Sequence, residues 1–124
     1  MKQLVLVVED DPDIALMMSV SLRLAGHDVA TATSGEAALA RLSQERPAVL
    51  VLDLGLPGIG GREVLRRVRE DATLFSLPVV VVSAHAAPPT ISEMTLLGCD
   101  RYLTKPFDPR ELVKAVDELP GAAA

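Results

Sequence analysis

Residues 49–61 read VLVLDLGLPGIGG: four aliphatic residues, an aspartate, then a turn rich in glycine. The run Val49–Leu52 shows no polar alternation, which suits a strand covered on both faces, as in a parallel sheet. Asp53 closes it, where a charge would be partly buried between Leu52 and Leu54 and costly without a partner. Two other runs have the same form. Leu4–Val8 leads into Glu9-Asp10-Asp11, and Val79–Val82 leads into Ser83-Ala84. Asp28–Ala32 is more polar and is expected at a sheet edge, and Arg101–Thr104 runs into Lys105-Pro106.

Helical patterns separate these segments. Ile14, Met17, Met18, Leu22 and Ala25 keep the i, i+3, i+4 spacing, with Asp11 placed as N-cap, Pro12 as first residue and Gly26 as stop. Ser34 opens a second helix reaching about Gln44, and Gly61–Glu70 has Val64, Leu65 and Val68 as its apolar stripe. Asp108-Pro109-Arg110-Glu111 reads as an N-cap, a first-turn proline and a capping-box glutamate before Leu112, Ala115, Val116 and Leu119. After Ser83, the stretch Ala86-Ala87-Pro88-Pro89 is expected to delay a helix until about Thr90, with Gly98 ending it after two turns. Strand and helix thus alternate five times. That pattern predicts a three-layer α/β sandwich around a five-stranded parallel sheet.

The chain has 124 residues and 49% hydrophobic content, enough for one domain with one core. Its net charge of −5 argues against a protein that grips a nucleic-acid backbone. Arg62, Arg66, Arg67 and Arg69 form the nearest thing to a basic face and read as a solvated side of a helix. No apolar run approaches the ~20 residues of a membrane span, and the N-terminus lacks the pattern of a signal peptide. A single cysteine, Cys99, excludes an internal disulfide, so a reducing, cytoplasmic setting is expected. His27 and Cys99 read as structural. Pro120–Ala124 reads as a frayed end or the start of a connection.

In open α/β sheets, ligands bind beyond the carboxyl ends of the strands. Glu9, Asp10, Asp53, Ser83 and Lys105 all fall there. Acids at a helix start are favoured by the helix dipole, which accounts for Asp11 and Asp13 but not for Asp53. Two carboxylates ~4–5 Å apart repel by about 3–4 kcal/mol at an effective dielectric of 20. Three acids therefore need more positive charge than Lys105 supplies, and hard oxygen donors suit Mg²⁺, or Mn²⁺ in its place. Such a cup can receive a phosphoryl group on Asp53, with Lys105, the Ser83 hydroxyl and the Ala84 backbone N–H on its oxygens.

The segments VLVVEDDPDI, VLVLDLGLPGIGG, VVVVSAHA and GCDRYLTKPFDP closely resemble the receiver domain of bacterial response regulators, over nearly the whole chain. The resemblance implies a flavodoxin-like (βα)5 fold with strand order 2-1-3-4-5, spanning residues 1–119, with 120–124 as a tail or linker. It implies a phosphoacceptor switch, not an enzyme acting on a separate substrate. Asp53 would take phosphate from a sensor histidine kinase or a histidine phosphotransfer protein. Asp10, Asp53 and the Gly55 carbonyl would bind Mg²⁺ directly, and Glu9 would do so through water. Ser83, Ala84 and Lys105 would contact the phosphoryl group, and the Lys105–Pro106 bond is a candidate cis peptide. Ser83 and Tyr102 would form the switch that remodels the face made by the fourth helix, fifth strand and fifth helix. Edge-strand packing is the plainer role for Tyr102. Gly55 and His85 would tune hydrolysis of the acylphosphate. A monomer is expected, dimerising on phosphorylation through that same face, with no direct nucleic-acid binding.

Some positions depart from the family pattern. Gly60 stands where Asp or Asn often precedes the glycine, the loop has extra glycines that leave its rigidity in question, and Glu9 replaces the commoner Asp. Competing readings remain. A flavodoxin would cradle phosphate where Glu9-Asp10-Asp11 would repel it. A haloacid-dehalogenase-like phosphatase needs an acid where Gly55 stands. A receiver-like module that binds partners without phosphorylation normally lacks an acid, the acceptor or the lysine, all of which are present here.

Overall fold

The computed structural model describes residues 3–85 and 87–120. Five strands, β1 (Leu4–Val8), β2 (Asp28–Ala32), β3 (Val49–Asp53), β4 (Val79–Ser83) and β5 (Arg101–Thr104), form one parallel sheet in the order β2-β1-β3-β4-β5. Five helices alternate with them: α1 (Pro12–Leu24), α2 (Gly35–Leu42), α3 (Gly61–Glu70), α4 (Pro88–Leu97) and α5 (Pro109–Asp117). The three-layer sandwich, its parallel sheet and its strand order are those expected.

The aliphatic runs are buried because both faces of the sheet are covered. Alternate residues divide between two cores. Leu6, Val8, Leu50, Leu52, Val79 and Val81 pack with Ala38 of α2, Leu65 of α3 and Met94 of α4. Val5, Val7, Val49, Val51, Val80 and Val82 pack with Met18 and Leu22 of α1 and with Leu112 and Val116 of α5. Register pairs Val8 with Leu52, Leu52 with Val81, and Ser83 with Thr104, which aligns the carboxyl ends of β1, β3, β4 and β5. The residues after those ends therefore meet at one edge.

The helix starts explain most of the local geometry. Asp11 caps α1 by accepting from the backbone N–H groups of Asp13 and Ile14. Ser34 caps α2 through the Ala37 N–H. Asp108 caps α5, but it accepts from Arg110 N–H, one residue earlier than the capping box has it, and holds the Arg110 guanidinium as well. α4 begins at Pro88, two residues before the expected start, and runs for ten residues to a left-handed Gly98. Pro88 and Pro89 begin the helix instead of delaying it, because first-turn N–H groups have no intrahelical acceptor to lose.

One other expectation is corrected. Arg69 is not part of a solvated face. Its guanidinium donates to the carbonyls of Gly98 and Leu77 at 2.6 Å each and pairs with Asp100, tying α3 to the segment before β4 and to the turn between α4 and β5. The glycine-rich loop, whose rigidity the sequence left in question, is tied to side chains at two points. Gly55 N–H donates to Asp53 Oδ1 at 3.1 Å and Ile59 N–H to the Glu36 carboxylate at 3.0 Å. A Cβ on Gly61 would lie 2.3 Å from the Asp53 carbonyl oxygen, so this glycine lets α3 start directly against the end of β3. His27 is structural as expected, its ring nitrogen 2.7 Å from Asp117 at the end of α5, and Cys99 is buried. Residues 121–124, most of the expected tail, lie outside the described residues.

Candidate functional site

At the carboxyl edge, Glu9 and Asp53 are buried at 1% and 5% exposure, whereas Asp10 is open to solvent. One carboxylate oxygen from each of these acids lies within 4.8 Å of the others. Each is placed by its strand: Glu9 follows Val8, with its N–H bonded to the Ala32 carbonyl, and Asp53 ends β3 against Val82. Lys105 reaches in from the loop after β5. Its ammonium lies 2.6 Å from Glu9 Oε1 and 3.4 Å from Asp53 Oδ1. The Lys105–Pro106 bond is cis, as the sequence suggested, and the Lys105 N–H is bonded to the Ser83 carbonyl at 2.7 Å.

The charge in this cup does not balance. Burial pushes the Glu9 carboxyl up to about 7, against the pull of the Lys105 ammonium and with a further push from Asp53. A raised carboxyl favours folding at acidic pH, below its ordinary value near 4.5, and that contribution is lost as pH rises through about 7. The Lys105 ammonium is held above its ordinary range by Glu9 and Asp53, although its own burial opposes this. Three clustered carboxylates that share one lysine form a donor set suited to a hard divalent cation with some positions left to water.

Ser83 is buried and its hydroxyl accepts from the His85 N–H at 3.0 Å. The Tyr102 hydroxyl, on half-buried β5, donates to the His85 carbonyl at 2.7 Å. One residue thus links Ser83 to Tyr102, a connection that the sequence reading did not contain. Ala84 and His85 are exposed at the rim, and His85 lines a pocket together with Gly55. Arg62, read only as a surface charge, lines a pocket with Gly55 and His85. No local pattern marks it. Its place depends on α3 starting so close to Asp53.

A doubly wound sheet that gathers acids, a hydroxyl and a lysine at its carboxyl edge defines the class of flavodoxin-like signalling domains. Residues 5–117 match the response regulator receiver domain family, and the chain belongs to it, a family of phosphoacceptor switches in two-component signalling. It is 39% identical over 116 residues to the DNA-binding response regulator MtrA of Mycolicibacterium smegmatis, covering 94% of this chain and 50% of MtrA. The chain spans about half the length of the curated relatives it matches. A putative response regulator from Chloroflexus aurantiacus superposes with a TM-score of 0.91 at 35% identity, over 96% of this chain and 98% of that one. The Mn²⁺-bound form of response regulator Rcp1 superposes with a TM-score of 0.81 at 30% identity, over 92% and 88%. Among the described residues, no helix is long and apolar enough to cross a membrane.

Proposed function

We propose that Asp53 is the phosphoacceptor of this receiver domain, taken as residues 1–119. One observation carries the reading: a buried carboxylate 3.4 Å from a lysine ammonium, with two further acids beside it. A lone buried acid would be neutral or paired, whereas this one is held where positive charge and an incoming anion can meet. Asp10, Asp53 and the Gly55 carbonyl would hold Mg²⁺ or Mn²⁺, with Glu9 acting through water. The cation supplies the charge that lets an anionic phosphoryl group approach.

The chemistry is group transfer. A sensor histidine kinase or histidine phosphotransfer protein in the cytoplasm would present a phosphohistidine. A carboxylate oxygen of Asp53 forms the new bond to phosphorus while the bond from phosphorus to the donor's imidazole breaks. Lys105, the Ser83 hydroxyl and the Ala84 N–H would hold the phosphoryl oxygens. Lys105 must then loosen its 2.6 Å contact with Glu9, which the cation would offset.

Signal leaves through His85. A shift of Ser83 toward the phosphoryl group pulls on the His85 N–H, and the His85 carbonyl holds Tyr102. The surface of α4, β5 and α5 is the output face. The phosphoryl group changes its population only as far as it binds the two arrangements unequally. Gly55 and His85 flank the way in for water, and so set the lifetime of the acylphosphate.

Incubation with Mg²⁺ and a small phosphodonor, read by intact mass and peptide mapping, tests the assignment. A single phosphoryl adduct on Asp53, absent from Asp53→Asn, is expected. No adduct would leave the chain as a phosphorylation-independent interaction module.

A further inference from the structure

A pocket of about 250 Å³ opens beside the acceptor, lined by Leu54, Gly55, Arg62, His85 and Thr90. Gly55 joins it to the site: its N–H donates to Asp53 Oδ1 at 3.1 Å, and a Cβ there would sit in ordinary contact, 3.8 Å, with both Asp53 carboxylate oxygens. A water molecule takes about 30 Å³ of liquid, so the space admits a short organic group and not just solvent. Its lining includes one permanently charged side chain, Arg62, and no acid. Arg62 is half free. Its Nε is 2.5 Å from Glu93 Oε1 of α4, and both side chains are more than half exposed, so the remaining guanidinium donors can take another partner.

A guanidinium presents a planar fork that matches a carboxylate better than it matches a neutral group. We propose that this pocket is a subsite for the carboxylate that departs when a small acyl phosphate is the donor, and that Arg62 selects for such donors. The inference rests on Asp53 as acceptor and adds a donor preference to it. An Asp53 oxygen bonds to phosphorus as the bond from phosphorus to the acyl oxygen breaks, and the electron pair leaves on that oxygen. The product is already a stable carboxylate, so no proton is needed. A donor with a phosphorus–nitrogen bond releases an amine or imidazole, which gains nothing from Arg62. Glu93 competes with the departing carboxylate and restrains the preference.

The experiment compares acetyl phosphate with phosphoramidate as donors, in saturating Mg²⁺, by the rate of Asp53 labelling. The ratio of the two rate constants is the readout, because loss of folded protein cancels from it. Arg62→Ala is expected to lower the acetyl phosphate to phosphoramidate ratio by about threefold to fivefold, the scale of an exposed charge pair. Glu93→Gln is expected to raise it. An unchanged ratio in either variant overturns the subsite, including the case where both donors slow in parallel. If neither donor labels Asp53 of the unaltered protein, the acceptor assignment itself fails, and the subsite falls with it.

Discussion

Asp53 is placed where it costs the fold. Each clustered acid within 4.8 Å repels it by roughly 3–4 kcal/mol at an effective dielectric of 20, while Lys105 at 3.4 Å returns about 5 kcal/mol. Above pH 7, where Glu9 is ionised, two repulsions outweigh one attraction before desolvation is counted. Asp53→Asn should therefore stabilise the cation-free protein by about 1–2 kcal/mol, after allowance for screening at exposed Asp10. Urea unfolding in a chelator measures this, and added Mg²⁺ should shrink the difference by favouring the unaltered protein. An Asn variant that is less stable in chelator would mean that Lys105 already balances the site. At the rim, His85→Ala removes a side chain that shares a pocket with Gly55. The half-life of the Asp53 acylphosphate should shorten severalfold, and an unchanged half-life would take His85 off the path of water. The acids and the lysine were legible because each stands just past, or closes, a strand-like run in the sequence. The Lys105–Glu9 contact and the place of Arg62 were not, since both depend on distances between segments far apart in sequence.

Two adjacent glycines show what an element asks of its first residues. Gly60 is the N-cap of α3 with φ −72° and ψ 165°, an ordinary conformation, and it offers no side chain to the helix start. Nothing lies closer than 3.9 Å to a Cβ built there. Gly60→Ser should stabilise the protein by about 0.5–1 kcal/mol, by capping and by restricting the unfolded chain. Gly61→Ala should do the opposite. Its Cβ would meet the Asp53 carbonyl oxygen at 2.3 Å and Leu54 Cα at 2.8 Å, both backbone atoms that cannot swing away. A loss of about 2–3 kcal/mol is expected, with slower Asp53 labelling because the acceptor strand must shift. Thermal melts of the two variants check the contrast, and equal effects would refute it. The sequence marks both residues only as Gly. Likewise, Pro88-Pro89 shows that proline is present without showing which side of a helix boundary it takes, so α4 was placed two residues late. Strand positions were clearer, because a short Val-rich run covered on both faces has few alternatives.

At the scale of the whole molecule, the alternation of strands and helices follows from local pattern, but the order β2-β1-β3-β4-β5 does not. Five aliphatic or mixed strands carry no label for their neighbours, and the order came from resemblance to a family. That order brings β5 beside β4, and hence Tyr102 within 2.7 Å of the His85 carbonyl. The fold therefore links Ser83 through His85 to Tyr102 on β5, the path by which the proposed switch would reach the surface of α4, β5 and α5, while α1 and α5 pack in a separate core behind the sheet. Beryllofluoride with Mg²⁺, a stand-in for the phosphoryl group, should load Asp53 and shift that face toward self-association. Sedimentation should then show a monomer without it and a rise toward dimer mass with it, and no rise for Asp53→Asn. Tyr102→Phe keeps the ring against the core but loses the hydroxyl that holds His85, so it should bind beryllofluoride while gaining less mass. Equal gain in mass by Tyr102→Phe would move the route away from this hydrogen bond, and a constant mass in the unaltered protein would count against self-association as the output of this face.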